Sequence, residues 1–346
     1  MFLAKPDFLI DSLHVITVIA TPLHVFGTYC IFFKTPKTMN SVKWPLFNLH
    51  FWCMFLDWGF TVLSIPLLIF PVMGGYPLGI LTNWFGMSTL VQIYLIITLI
   101  FMVCTSIVVA FENRYYQLYG KKQVWRYIRI PFIIINYLLT VTFLIPACLN
   151  VPDQRMALER TYQLIPNLPE EIKSGPIFIL AEEYFWVLVP FNSMAVIEVV
   201  ESFLFIGLIN RNMKSSSRQM TLSENTMKLQ KKFMRALYAQ VKNLKILKMI
   251  FLFQVTVFLL NFQVPIVYIL YSVTSNFYSQ EANNLVFIVA SLHGINSTLI
   301  MLFAHKPYRA ECEKMIMSGR EFFKIPPRTV GSRTQRTRVS STIVSF

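Results

Sequence analysis

The chain has 346 residues, of which 55% are hydrophobic and only 14% charged, whereas soluble proteins have about 25% charged residues. This composition excludes a disordered or collagen-like chain and argues against a soluble enzyme. The formal net charge of +14 would indicate a nucleic-acid partner in a soluble protein, but the cytoplasmic loops of membrane proteins also collect Lys and Arg. We therefore expect a protein that resides in a lipid bilayer and has no nucleic-acid partner.

A transmembrane helix needs about 20 mainly apolar residues, because hydrocarbon offers no hydrogen-bond partner to the backbone. Seven windows meet this requirement, with a Pro- and Gly-rich break at 71–79 between the second and the third. They lie at 12–33, 44–70, 84–110, 130–150, 184–209, 249–272 and 283–304. The sequence therefore predicts an all-α membrane protein with a seven-transmembrane helix bundle over residues 1–309.

The distribution of basic residues predicts the direction of the spans. The segments 34–43, 111–129, 210–248 and 305–346 hold 27 of the 31 Lys and Arg residues. Because basic residues concentrate on the cytoplasmic side of a membrane, the N-terminus is expected outside and the C-terminus in the cytoplasm. The outer segment 151–183 is then expected to be a loop.

The expected cytoplasmic segments contain two further patterns. Basic residues recur at helical spacing over 228–248 beside an apolar stripe, which predicts an amphipathic helix that leads into span six. Residues 310–324 predict a short amphipathic helix on the inner leaflet, where Cys312 is either palmitoylated or a free thiol. The rest of the 310–346 tail is basic and rich in Ser and Thr, and it is expected to be disordered.

Ionisable side chains inside a span cost at least about 2.5–3.5 kcal/mol at the bilayer centre, so each requires a partner or a function. Asp57 and His293 lie at similar depths, judged from the helical rise of about 1.5 Å per residue. We predict that they pair across the bundle, either as a polar switch that also includes Asn296 or as a structural hydrogen bond. Glu198 and Glu201 share one face of span five and serve either ligand binding and signalling or helix packing.

The sequence contains no motif that indicates catalysis. Phosphate-binding GxxxxGK, metalloprotease HExxH and hydrolase GxSxG patterns are missing, and the five cysteines lack metal-ligand spacing. We therefore expect no enzyme activity, no cofactor and no metal. Two rival classes remain: an ion-coupled transporter or channel that uses Asp57, Glu198 and Glu201, and an intramembrane enzyme that uses Asp57 and His293.

Several local runs resemble one receptor family. They are PLHVFGTYCIFFKTPKTM (22–39), NLHFWCMFLDW (48–58), GGYPLGIL (74–81), ENR (112–114) and LHGINSTLIMLFAHKPYR (292–309). In this order and placement the chain is similar to nematode serpentine chemoreceptors of class H, within the wider Str group. The resemblance implies a G-protein-coupled receptor for an external small molecule, located in the plasma membrane of sensory-neuron cilia, with a heterotrimeric G protein as its partner.

The resemblance and the charge-derived topology together suggest where coupling and ligand binding take place. The G-protein surface is expected at the cytoplasmic ends of spans three, six and seven. Its candidate residues are Glu112, Arg114, Lys231, Lys232, Arg235, Pro307, Tyr308 and Arg309. The ligand site is expected in the outer half of the bundle, where a few polar groups interrupt apolar surface; helix packing is the alternative role of the same residues. These candidates are Gln92, Tyr94, Gln263 and Tyr268.

Overall fold

The computed structural model describes residues 2–220 and 261–323, and most of these residues are helical. The helices, in chain order, are α1 (Pro6–Phe33), α2 (Asn40–Trp58), α3 (Ile80–Asn83), α4 (Thr89–Leu118), α5 (Trp125–Thr142), α6 (Ile145–Leu149), α7 (Gln154–Leu164), α8 (Glu170–Lys173), α9 (Phe185–Met220), α10 (described over 261–275), α11 (Gln280–Ser291), α12 (His293–Ala304) and α13 (Lys306–Phe323). Three strands, β1 (Pro66–Leu68), β2 (Met73–Pro77) and β3 (Phe178–Ala181), form one small sheet.

Within these residues, six helical stretches are long and apolar enough to cross a membrane. They are Pro6–Phe33, Asn40–Leu63, Thr89–Leu118, Trp125–Leu149, Phe185–Asn212 and Gln280–Ala304. They correspond to the predicted spans one to five and seven. Helix α10 covers the second half of the predicted sixth span, and residues 249–260 of that span lie outside the described part of the chain. The predicted helical membrane fold class is confirmed.

The predicted span 44–70 is wrong at its C-terminal end. Helix α2 continues through a π-helical turn, Gly59–Leu63, and stops there. Pro66 lacks the backbone N–H that a helix requires, and its ring disfavours helical backbone at the preceding residue. The apolar residues after it enter β1 instead of lengthening the helix.

The sheet is antiparallel in the order β1–β2–β3, with Leu67 opposite Tyr76 and Gly74 opposite Ile179. Gly75 has a φ of 155°, and a Cβ atom there would overlap the carbonyl oxygen of Leu67. Only glycine therefore fits at this crossing of β1 and β2. The segment 151–183, predicted as a loop, instead forms α7, α8 and β3, which belong to the same end of the molecule.

The main apolar core runs without interruption from the helices into the sheet. Its buried members on the helical side include Leu13, Phe60, Ile96 and Phe287. On the sheet side the same cluster contains Leu67, Ile69, Ile172, Ile177 and Ile179. The sheet and its two short helices thus pack on one end of the bundle, called the sheet end below.

The seventh predicted span is divided into two helices. Helix α11 ends at Ser291 and α12 begins at His293, with Leu292 between them. The first backbone N–H groups of any helix lack partners within that helix. At the break, the backbone N–H of Gly294 donates to a side chain of α2 instead of to a carbonyl of its own helix, and this bond helps to form the site described next.

Candidate functional site

The centre of the bundle holds a polar cluster around Asp57, whose side chain is fully buried. Its Oδ2 lies 2.8 Å from Nε2 of His24, on α1. Its Oδ1 accepts a hydrogen bond from the backbone N–H of Gly294 at 3.1 Å, and Nδ1 of His293 lies 3.1 Å from the same oxygen. One carboxylate thus joins α1, α2 and the start of α12, where the helix dipole also favours a negative charge.

The second ring nitrogen of His24 extends the cluster. Because a carboxylate only accepts hydrogen bonds, Nε2 of His24 is the donor to Asp57, and in the neutral ring Nδ1 is then an acceptor. The hydroxyl of Thr298 lies 2.9 Å from that nitrogen. Behind it, Nε2 of His50 lies 3.1 Å from the carbonyl oxygen of His24. A Cβ atom at Gly27 would lie 2.9 Å from His50, so glycine is what allows α1 to approach this closely.

The predicted proximity of Asp57 and His293 is confirmed by their 3.1 Å separation, while their role as a switch stays a prediction. Asn296 does not join them, because its amide donates to Asn261 on α10 at 3.2 Å. Sequence reasoning missed His24, the residue closest to the carboxylate. The signal was present, since this histidine stands inside an otherwise apolar span and requires a partner.

The order Asp57, His24, Thr298 is the order of residues in an activated-hydroxyl site. Thr298 is nevertheless fully buried, so a substrate has no access to its hydroxyl in this arrangement. The described residues also contain no group of three His, Cys, Asp or Glu side chains placed to hold a metal ion. The geometry fits a hydrogen-bonded connection between helices.

The two glutamates of α9 make separate contacts with neighbouring helices. Glu198 accepts a hydrogen bond from Thr105 of α4 at 2.6 Å, and that hydroxyl also lies 2.7 Å from the hydroxyl of Thr140 on α5. Glu201 accepts a longer bond, 3.4 Å, from Asn136 of α5. These contacts hold α9 against α4 and α5, which fits the helix-packing alternative; a signalling role stays a prediction.

Glu112 does not lie on an exposed surface. It is fully buried, accepts a hydrogen bond from the indole of Trp125 at 2.8 Å, and pairs with Arg129 at 3.2 Å. Arg114 is half-buried and makes no ion pair among the described residues. Burial, together with this nearby guanidinium, lowers the pKa of His305 to about 4. Of the two α4 candidates, only Arg114 is partly exposed at this end of the bundle.

The other candidates for the coupling surface differ in their exposure. Tyr308 is fully buried, and its hydroxyl lies 2.7 Å from that of Thr35, so it attaches α13 to the end of α1. Pro307 is partly exposed and Arg309 is exposed. Lys231, Lys232 and Arg235, with the whole predicted helix 228–248, lie outside the described residues. Cys312 forms no disulfide among the described residues and is only 8% exposed, so its thiol is poorly accessible for palmitoylation.

The four predicted ligand residues are not brought together. Gln92 donates to the hydroxyl of Thr82 on α3 at 2.8 Å and to the carbonyl oxygen of Met87 before α4 at 2.9 Å. Tyr94 donates to a carbonyl oxygen of α5 at 2.6 Å. Tyr268 donates to an amide oxygen of α11 at 2.9 Å, and Gln263 is exposed on α10. Their hydrogen bonds connect different elements, as the helix-packing alternative requires.

A scan against known families matches the chain to the model of the serpentine type 7TM GPCR chemoreceptor Srh, over residues 4–247 and 242–318. The chain belongs to the class H family of serpentine chemoreceptors. Serpentine receptor class H-72 of Caenorhabditis elegans is 24% identical over 334 residues, which cover 94% of this chain and 90% of that relative. This class H member is therefore a multi-pass membrane protein of a chemosensory receptor family, and that family is not an enzyme family.

Proposed function

We propose that this class H protein is a plasma-membrane receptor that binds an external small molecule and activates a heterotrimeric G protein. By analogy with its family, we place it in sensory-neuron cilia. It acts without catalysis of its own. The basic-residue distribution supports a topology with the sheet end outside and the ends of α12 and α13 in the cytoplasm. With this topology, an antibody applied to intact cells should bind a tag at the N-terminus but not a tag at Phe346.

The observation that carries this proposal is the Asp57 cluster, because it joins three helices, α1, α2 and α12, at the centre of the bundle. A ligand shifts a conformational equilibrium only through its different affinity for the two states. A cluster that is hydrogen-bonded in one arrangement and rearranged in another supplies two such states. We assign the switch role to Asp57, His24 and His293, with Asn296 linking α12 to α10.

The coupling surface in this proposal consists of two groups of residues. The first group is Arg114, Pro307 and Arg309, with the buried Tyr308 packed beneath them. The second group is the three basic candidates of 228–248, Lys231, Lys232 and Arg235. A basic rim of this kind speeds encounter with an acidic partner surface more than it raises final affinity. Glu112 acts beneath this surface through Arg129. Glu198 and Glu201 hold α9 in place while the cluster rearranges.

To test this proposal, the receptor is expressed in cells with a promiscuous G protein, and calcium responses to a panel of volatile and soluble odorants are measured. Changing Lys231, Lys232 and Arg235 together to Gln should reduce the maximal response at unchanged surface level. The matched control changes three basic residues of the sheet end, Arg155, Arg160 and Lys173, which should leave the response intact. Equal responses from both triple variants would refute the coupling assignment. A ligand-independent ionic current carried by the receptor would instead support the transporter or channel class.

A further inference from the structure

The sheet end of the bundle is closed by a cover, called the lid here, that consists of residues 2–5, β1–β3, α7 and α8. All segments of this end belong to the described residues. The lid is not a loop lying over an open mouth, because its apolar side chains are part of the same buried cluster as those of the helices. Leu67, Ile172 and Ile179 are each at most 1% exposed.

Three amide side chains of α11 fix the lid to the bundle. Asn284 donates to the carbonyl oxygen of Leu3 at 2.8 Å, Gln280 donates to that of Leu68 at 3.1 Å, and Asn283 donates to the carbonyl of residue 70 at 3.2 Å. The amides of Gln280 and Asn284 also bond to each other at 2.8 Å. All three amide side chains are at most 2% exposed, so opening the lid leaves buried polar groups without partners.

Two of the four predicted ligand residues, Gln92 and Tyr268, form hydrogen bonds within the sheet end. Gln92 donates to Thr82 of α3 and to the carbonyl oxygen of Met87 before α4, and Tyr268 donates to Asn283 of α11. The helical side chains directly below the lid, Phe60, Ile96 and Phe287, are apolar. A charged ligand that entered through the lid would have to pass these apolar side chains without hydrogen-bond partners before it reached the Asp57 cluster.

We propose that the ligand reaches the helix core from the bilayer and not from water through the sheet end, and that it belongs to the class of small, neutral, membrane-partitioning molecules. This inference rests on the proposed function, in which the sheet end faces outside. The helix walls are the surface that remains. In the spans Trp125–Leu149 and Phe185–Asn212, 22% of the residues in the most apolar window are buried, against 56% in Thr89–Leu118, so most of their side chains face the bilayer.

The experiment measures access to the core with two thiol reagents that share one reactive group. One is neutral, methyl methanethiosulfonate, and the other carries a permanent trimethylammonium charge. Both are applied to intact cells that express the full-length Ile96→Cys variant, and mass spectrometry locates the label among the native cysteines. Glu183→Cys, an exposed position between β3 and α9 at the same end, is the matched control. Leu99→Cys, on the same helix wall, serves as the second reporter.

Each rate is divided by the rate of the same reagent at the Glu183→Cys control. The charged reagent should then modify the core position at least about thirtyfold more slowly than the neutral one, the factor that corresponds to the loss of two ordinary hydrogen bonds. Adding Asn284→Leu, which removes the bonds to the carbonyl oxygens of Leu3 and Lys5, should raise the charged rate by a similar factor. Asn150→Leu, which removes an exposed local bond at the same end, should not.

Two results would overturn the inference. If the charged reagent modifies the core position as fast as the exposed control, the sheet end is open to water. If the neutral reagent is as slow as the charged one, no route from the bilayer exists. Because labelling requires neither ligand nor G protein, its outcome is independent of the coupling proposal.

Discussion

The replacement of Gly294 by alanine tests the Asp57 cluster most directly. The backbone N–H of Gly294 donates to Oδ1 of Asp57 at 3.1 Å, and a Cβ atom on this residue would overlap the carboxylate. The carboxylate has little room to retreat, because its other oxygen lies 2.8 Å from His24. In Gly294→Ala, either Asp57 or the start of α12 must move.

Two contributions determine the size of the effect. Overpacking a close-packed site costs about 1–3 kcal/mol, and a hydrogen bond to a charged group contributes about 1.5–3 kcal/mol. Together they predict that Gly294→Ala lowers the free energy of unfolding by about 3–5 kcal/mol. That is a large fraction of the roughly 5–15 kcal/mol by which most proteins are stable.

The assay is thermal unfolding of the purified receptor in detergent or nanodiscs, combined with the surface level in cells. Gly207→Ala on α9 is the matched control, because a Cβ atom there has no neighbour within 4 Å. Alanine is the better helix former by about 1 kcal/mol, so this control should be neutral or slightly stabilising. If Gly294→Ala melts at the same temperature as Gly207→Ala, the close packing around Asp57 is wrong.

Three further predictions concern the end of the bundle that lies opposite the sheet end. Arg129→Gln should destabilise the receptor by about 3–5 kcal/mol in thermal unfolding, since it leaves the buried Glu112 carboxylate without its charge partner, whereas Arg114→Gln should retain stability and lose signalling. Tyr308→Phe should cost about 1 kcal/mol, the net value of one buried hydrogen bond, with no change in surface charge. Because the pKa of His305 is lowered to about 4, the unfolded chain binds its proton first as pH falls below about 6.5. The receptor should then lose up to about 3 kcal/mol between pH 6.5 and 4, and a His305→Gln variant should lose less in the same melting series.

Hydropathy predicts where spans lie but not always how they end. Most predicted spans overlap the observed helices, because about 20 apolar residues in a bilayer must form a helix. The predicted second span extends too far at its C-terminal end because a short apolar run has the same pattern whether it forms a buried strand or a helix. Leu67 and Ile69 are apolar because they pack in the lid, and only the preceding proline indicates the change.

Depth along a helix is the property that made part of the site predictable. The rise per residue is constant, so Asp57 and His293 could be matched from opposite helices. The hydrogen-bond partners of Glu112 and Gln92 could not be predicted in this way, because they depend on how α5 and the residues before α4 pack against α4. The ion pair of Glu112 forms with Arg129 of the next long helix, α5, and no short-range spacing in the sequence indicates it.

Helix α12 connects the two polar regions of the molecule. Its first turn contains Gly294, whose N–H binds Asp57, and it ends at Ala304. The next residue is His305, whose ring lies 5.3 Å from that of Tyr308. A helix of this length spans about 18 Å. Because it is short and regular, we expect a displacement of its first turn to move its last turn as well. Tyr308 in turn holds α13 to Thr35 at the end of α1, and α1 carries His24. The Asp57 cluster and the attachment of α13 therefore share the same two helices. For this reason we expect a rearrangement at Asp57 to change the surface formed by Arg114 and Arg309.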